Sequence, residues 1–157
     1  MVIYEGLYAA YAELATISDI VVYVESPLYG RLLRRIFRNR YERYRVDPII
    51  SFSSFIHTLN ANYELIAPHK KHAHFILNIP YRFEDSIQRF GLKPMYATGK
   101  QVDLIVEHEI SENTQLGVHF KNGHYFFTLF HLGKMYLDFE ISEEQYAKFV
   151  QLDFEGV

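Results

Sequence analysis

LGVHFKNGHYFFTLFHLGKMYLDFE, residues 116–140, is the stretch whose reading decides the fold. Asn122-Gly123 lies between two alternating runs and predicts a two-residue hairpin turn, because both central positions need positive φ. Lys121 then opposes His124, and the pairing runs Phe120 with Tyr125, Val118 with Phe127 and Leu116 with Leu129. A three-residue loop, His131-Leu132-Gly133, sets Leu129 opposite Met135 and Phe127 opposite Leu137. That register gathers Leu116, Val118, Phe120, Tyr125, Phe127, Leu129, Met135, Leu137 and Phe139 on one face. An even-length loop would level Phe127 with Asp138 or Glu140. The other face carries His119, His124, Phe126, Thr128, Phe130, Tyr136 and Asp138. Three aromatic rings there imply a cover from the N-terminal helices; the alternative is a platform on which bases stack.

Working outward, Gln101 to Ile110 alternates as a further strand, with Val102, Leu104, Val106 and Ile110 inward and Asp103, Glu107 and Glu109 outward. Ser142 to Gln145 matches a capping box, and Ile141 with Tyr146 matches a hydrophobic staple. A helix is therefore expected from Glu143 to about Leu152. Upstream, the patterns give a helix over Glu5 to Thr16, a strand over Ile20 to Glu25 and a helix from Ser26. Asp47-Pro48 starts another helix, carrying Ile49, Phe52, Ile56, Leu59 and Tyr63. A strand follows over residues 72 to 79, then a short helix with Phe83, Ile87 and Phe90, closed by Gly91. The whole chain, 1–157, reads as a single α+β domain: N-terminal helices packed on a C-terminal antiparallel β-meander, with a final α-helix.

The chain has 157 residues, no cysteine, thirteen Tyr and thirteen Phe. That length can bury a substantial core. The lack of cysteine excludes disulfides and thiolate metal sites. No signal-peptide pattern or membrane-length apolar run is present, so a soluble, cytoplasmic protein without a membrane partner is expected.

Charge is unevenly placed. Ser26 to Val46 holds seven arginines, no lysine and one acid, Glu42, for a formal +6 in a chain of net −3. Ser26 can cap this helix and Pro27 suits its first position. Tyr29, Leu32, Leu33, Ile36, Phe37, Tyr41 and Tyr44 recur at helical spacing as a face to be buried. Arg31, Arg34, Arg35, Arg38 and Arg45 lie opposite, with Arg40 and Arg43 at the boundary. Salt bridges to the acidic remainder, within the chain or across an oligomer, are one reading of these arginines. An anion-binding face is the other, since the guanidinium fork pairs bidentately with phosphate. Lys70 and Lys71 add charge before the next strand.

His72-Ala73-His74 is the one metal-like motif. Two histidines two apart on a strand share a face and can share a cation. Asp103, Glu107 and Glu109 are further candidate ligands. The His-hydrophobic-His strand behind a basic lead-in resembles the HUH endonucleases. That resemblance implies His72 and His74 as ligands of a divalent metal that polarises a phosphate, and Tyr146 as the nucleophile. The sequence departs from that family after Tyr146: Lys148 stands two residues on, where the family has a lysine or glutamine three or four on. No Gly-rich phosphate loop is present, and Ser, His and Asp residues lack a nucleophile-elbow context.

The leading expectation is a non-catalytic binding protein without a cofactor. Its arginine face meets nucleic acid first, or an acidic protein surface second. Arg31, Arg34, Arg35, Arg38, Arg45, Lys70 and Lys71 would be the contacts. The alternatives are a metal-dependent single-strand nuclease using His72 and His74, and a subunit of a homo-oligomer or larger assembly.

Overall fold

The computed structural model describes residues 1–7, 9–96 and 102–152. Four strands, β3 (Leu104–Ser111), β4 (Thr114–Lys121), β5 (His124–His131) and β6 (Lys134–Ile141), form an antiparallel meander in the order β3-β4-β5-β6. Asn122 and Gly123 have φ of 53° and 82°, and the β4–β5 register is the one the Asn-Gly turn dictates, Val118 opposite Phe127. The β5–β6 turn differs from expectation. It is a two-residue turn, Leu132-Gly133, with φ of 50° and 72°. A bulge between Phe130↔Met135 and Leu129↔Leu137 skips Tyr136, so Phe127 opposes Phe139 rather than Leu137. The extra residue restores the parity that an even loop would lose, and the apolar row stays on one face.

That face meets α3 (Pro48–Ala61) and α5 (Glu143–Val150). Phe52 of α3 is fully buried, its ring centroid 5.0 Å from Phe127, 5.7 Å from Phe139 and 6.1 Å from Phe149. One core cluster joins Leu32, Leu33, Ile36 and Phe37 of α2 (Leu28–Arg38) with Phe83 of α4 (Phe83–Phe90) and the inner row of the meander. Each such side chain contributes about 1.5–3 kcal/mol by burial. The bulge turns Tyr136 towards this core, where it meets Phe83 at 5.0 Å, not onto the outer face with Phe126. On that outer face His119 Nε2 and Asp138 Oδ1 lie in hydrogen-bond contact at 2.8 Å, and Leu104 opposes His119 instead of pointing inward.

Caps and boundaries follow local chemistry. Asp47 accepts from the Ile49 N–H, and Ser142 and Gln145 make the reciprocal bonds of the capping box. Gly91 closes α4 at φ 62°. The first helix, α1, covers only Ala12–Ala15, because the backbone at Tyr11 is extended, with ψ 149°, and the helix can start only after it; Tyr8 and Gln101 lie outside the described residues. Helix α2 begins one residue later than expected, with Pro27 at the N-cap position, and Ser26 makes no capping bond. The helix ends at Arg38 in a π-helical turn, Asn39–Arg43. The wider turn shifts the helical phase. Tyr41 and Tyr44 therefore fall off the buried stripe and are 52% and 71% exposed. Arg45 sits beyond the helix with φ 52°.

Strands β1 (Val22–Glu25) and β2 (Phe75–Asn78) pair in parallel across the α2–α3 connection, Val22 level with Phe75 and Val24 with Leu77. These four side chains share a face and are all more than half exposed, flanked by exposed Ile20 and Ile79. Among the described residues no helix is long and apolar enough to cross a membrane.

Candidate functional site

Helix α2 lies between α3 and α4, and a cleft opens on each side of it. The α2–α3 cleft, about 290 Å³, is lined by Arg31, Arg34, Arg35 and Arg38 with Phe55, Thr58 and Asn62. The α2–α4 cleft, about 150 Å³, is lined by Arg34, Arg38, Arg82 and Arg89 with Tyr81, Asp85 and Phe90. Arg34 and Arg38, one helical turn apart, form the wall common to both. Burial of Leu32, Leu33, Ile36 and Phe37 on the opposite stripe fixes this orientation.

Neutral groups hold the guanidinium groups. Arg31 donates to Asn62 Oδ1 at 3.1 Å and Arg35 to Thr58 Oγ1 at 3.2 Å. Arg34 donates to Ser26 Oγ and, at 2.9 Å, to the Pro80 carbonyl, and lies 5.3 Å from the Tyr81 ring centroid. Arg35 lies 5.4 Å from the Phe55 ring centroid. Among the described residues, none of Arg31, Arg34, Arg35 and Arg38 is ion-paired with a carboxylate. Burial, then repulsion from Arg38 and Arg31, lowers the Arg35 pKa from its ordinary value. Burial pushes the Tyr81 hydroxyl, hydrogen-bonded to Ser86 at 2.8 Å, up to about 12. The site is a concentration of fixed positive charge whose compensation is incomplete.

The remaining sequence-derived contacts separate from it. Arg45 lies past the π-turn, not on the face of α2. Lys70 is paired with Glu25 at 2.5 Å, and Lys71 is exposed. Arg82 and Arg89 were not anticipated. They reach the cleft through tertiary packing of α4, and Arg89 is held by a bidentate pair with Glu42 at 2.7 and 2.8 Å.

The histidine pair is arranged differently from a strand. His72 ends a 3-10 segment, Ala67–His72, and β2 starts only at Phe75. His72 Nδ1 donates to the Ala10 carbonyl at 3.0 Å, while His74 Nδ1 accepts from the Val21 N–H at 2.9 Å. Asp103 and Glu107 line an open cleft with Gln115 and Phe130, on the meander. Among the described residues no three His, Cys, Asp or Glu side chains group as metal ligands. Tyr146 stacks on Tyr125 at 4.1 Å. Comparison with protein-family models, curated proteins and solved structures finds no match to this chain.

Proposed function

We propose that this is a non-catalytic nucleic-acid-binding protein whose α2 face contacts phosphates through Arg31, Arg34, Arg35 and Arg38. The supporting observation is that, among the described residues, no carboxylate pairs with any of these four arginines, while neutral acceptors orient Arg31, Arg34 and Arg35. Guanidinium groups held in place by neutral partners keep N–H donors and charge for an incoming phosphate. An acidic protein surface is the second partner class with this chemistry.

The test replaces Arg31, Arg35 and Arg38 with glutamine, leaving the Arg34 bridge between Ser26 and Pro80 intact. Binding to a fluorescent oligonucleotide should fall by at least tenfold, with melting temperature little changed. Wild-type protein that fails to bind any oligonucleotide at low salt would refute the reading. A variant that loses its fold while binding is lost would assign the arginines to stability instead.

A second reading, assembly with copies of itself, is favoured by the bare β1–β2 face. Parallel strand pairs are ordinarily covered on both sides. Ile20, Val22, Val24, Phe75, Leu77 and Ile79 are 40–65% exposed, which is on the order of 600 Å² of apolar surface, against roughly 800 Å² per partner in a standard interface. The row carries no charge, so it is complementary to itself across a two-fold axis.

A further inference from the structure

We propose that the nucleic acid taken by this face is single-stranded, with phosphates on Arg34 and Arg38 and bases stacked on Tyr41 and Tyr44. This rests on the reading above and adds the form of the ligand.

The first argument is shape. A helix that reads duplex DNA enters a major groove about 12 Å wide, and a helix with its side chains is itself about 10–12 Å across. Such a helix must stand clear of its neighbours. Helix α2 does not: α3 and α4 rise on both sides, and its arginines open into the clefts they form. Recessed clefts meeting at a shared arginine wall suit a flexible strand that bends over Arg34 and Arg38. Among the described residues the one carboxylate lining them is Asp85, in the smaller cleft. Glu42 nearby is already neutralised by Arg89.

The second argument is the exposed aromatic surface at the end of α2. The π-turn carries Tyr41 out of the core, and Tyr44 follows directly after it. Tyr41 backs onto Phe90, centroids 5.7 Å apart at 27°, and Phe90 lines the smaller cleft beside Arg34 and Arg38. Arg40, Arg43 and Arg45 alternate with these rings along the chain and are exposed. An open tyrosine face backed by Phe90 of the smaller cleft, with a second exposed ring three residues on between Arg43 and Arg45, is what stacking of unpaired bases requires. A duplex keeps its base faces covered and would leave both rings unused.

The experiment compares fluorescence anisotropy on a labelled thymidine oligonucleotide and on a duplex of equal length, at one low salt concentration. Wild-type protein should bind the single strand at least tenfold more tightly. Tyr44→Ala should weaken single-strand binding by about tenfold and leave duplex binding unchanged. Tyr44→Phe should restore it, because the ring rather than the hydroxyl stacks. Tyr44 is the primary site because its ring is largely exposed; Tyr41→Ala follows with its melting temperature measured alongside. Equal affinity for both forms, or a Tyr44→Ala protein that binds the single strand as wild type does, overturns this inference and leaves the nucleic-acid reading standing. Failure to bind either form overturns both.

Discussion

Gly30 sits in the first turn of α2, where a glycine ordinarily weakens a helix; replacing it with alanine should gain about 1 kcal/mol from propensity alone. The structure predicts the opposite sign. A Cβ built at Gly30 would lie 2.6 Å from Tyr81 Cβ and 3.1 Å from Tyr81 Cγ. Carbon atoms pack best at about 3.5–4.0 Å, so Tyr81 must retreat by roughly 1 Å. Tyr81 is 7% exposed and bonded to Ser86, so the retreat disturbs packed neighbours. Overpacking of this kind costs about 1–3 kcal/mol, which outweighs the propensity gain. Gly30→Ala should therefore be destabilising by about 1 kcal/mol net, a fall of about 2–4 °C in Tm for a domain this size. The same retreat moves Pro80, whose carbonyl holds Arg34, so oligonucleotide affinity should fall as well. Thermal melting by circular dichroism decides the sign, and a Gly30→Ala protein that melts above wild type would refute the close-approach argument.

Two further outcomes follow from individual groups. Folding keeps the Tyr81 hydroxyl neutral to about pH 12, while in the unfolded chain it ionises near 10. Its contribution to stability is thus whole below pH 10 and lost as pH rises from 10 to 12. Tyr81→Phe should melt below wild type at neutral pH, and the gap should narrow across that window; a constant gap would contradict the burial argument. Sedimentation velocity should show wild-type protein as a dimer and a Val22→Lys/Leu77→Lys variant as a folded monomer, whereas a monomeric wild type at high concentration would end the self-assembly reading.

The α+β architecture was legible where a residue type forces a backbone state. Asn122-Gly123 fixes the hairpin because both positions take positive φ, and Ser142 with Gln145 fixes the start of the last helix by reciprocal bonds. The turn at Leu132-Gly133 was less legible. The requirement that Phe127 share a face with apolar partners was visible, but a bulge at Tyr136 satisfies it as well as a longer loop does. The arginine face could be read as far as Phe37, because a period of 3.6 holds to that point. Nothing in the residue pattern separates an i→i+5 turn from an i→i+4 turn, so the outward rotation of Tyr41 and Tyr44, and the departure of Arg45 from the helix, were hidden. Arg82 and Arg89 join the clefts only through the packing of α4 against α2, which no local spacing encodes. His72 looked like a strand residue because alternation cannot reveal that the preceding Pro68-containing segment stays helical through it.

The salt dependence of oligonucleotide binding tests the central claim most directly. Each phosphate neutralised by an arginine releases condensed counterions, so log K should fall linearly with log salt at about 0.7 per contact on a single strand. Four contacts from Arg31, Arg34, Arg35 and Arg38 predict a slope near −2.8 for wild type, and Arg31→Gln/Arg35→Gln/Arg38→Gln should reduce it to about −0.7. A wild-type slope near zero, or a slope that the triple variant leaves unchanged, would contradict the assignment of this arginine face to phosphate binding.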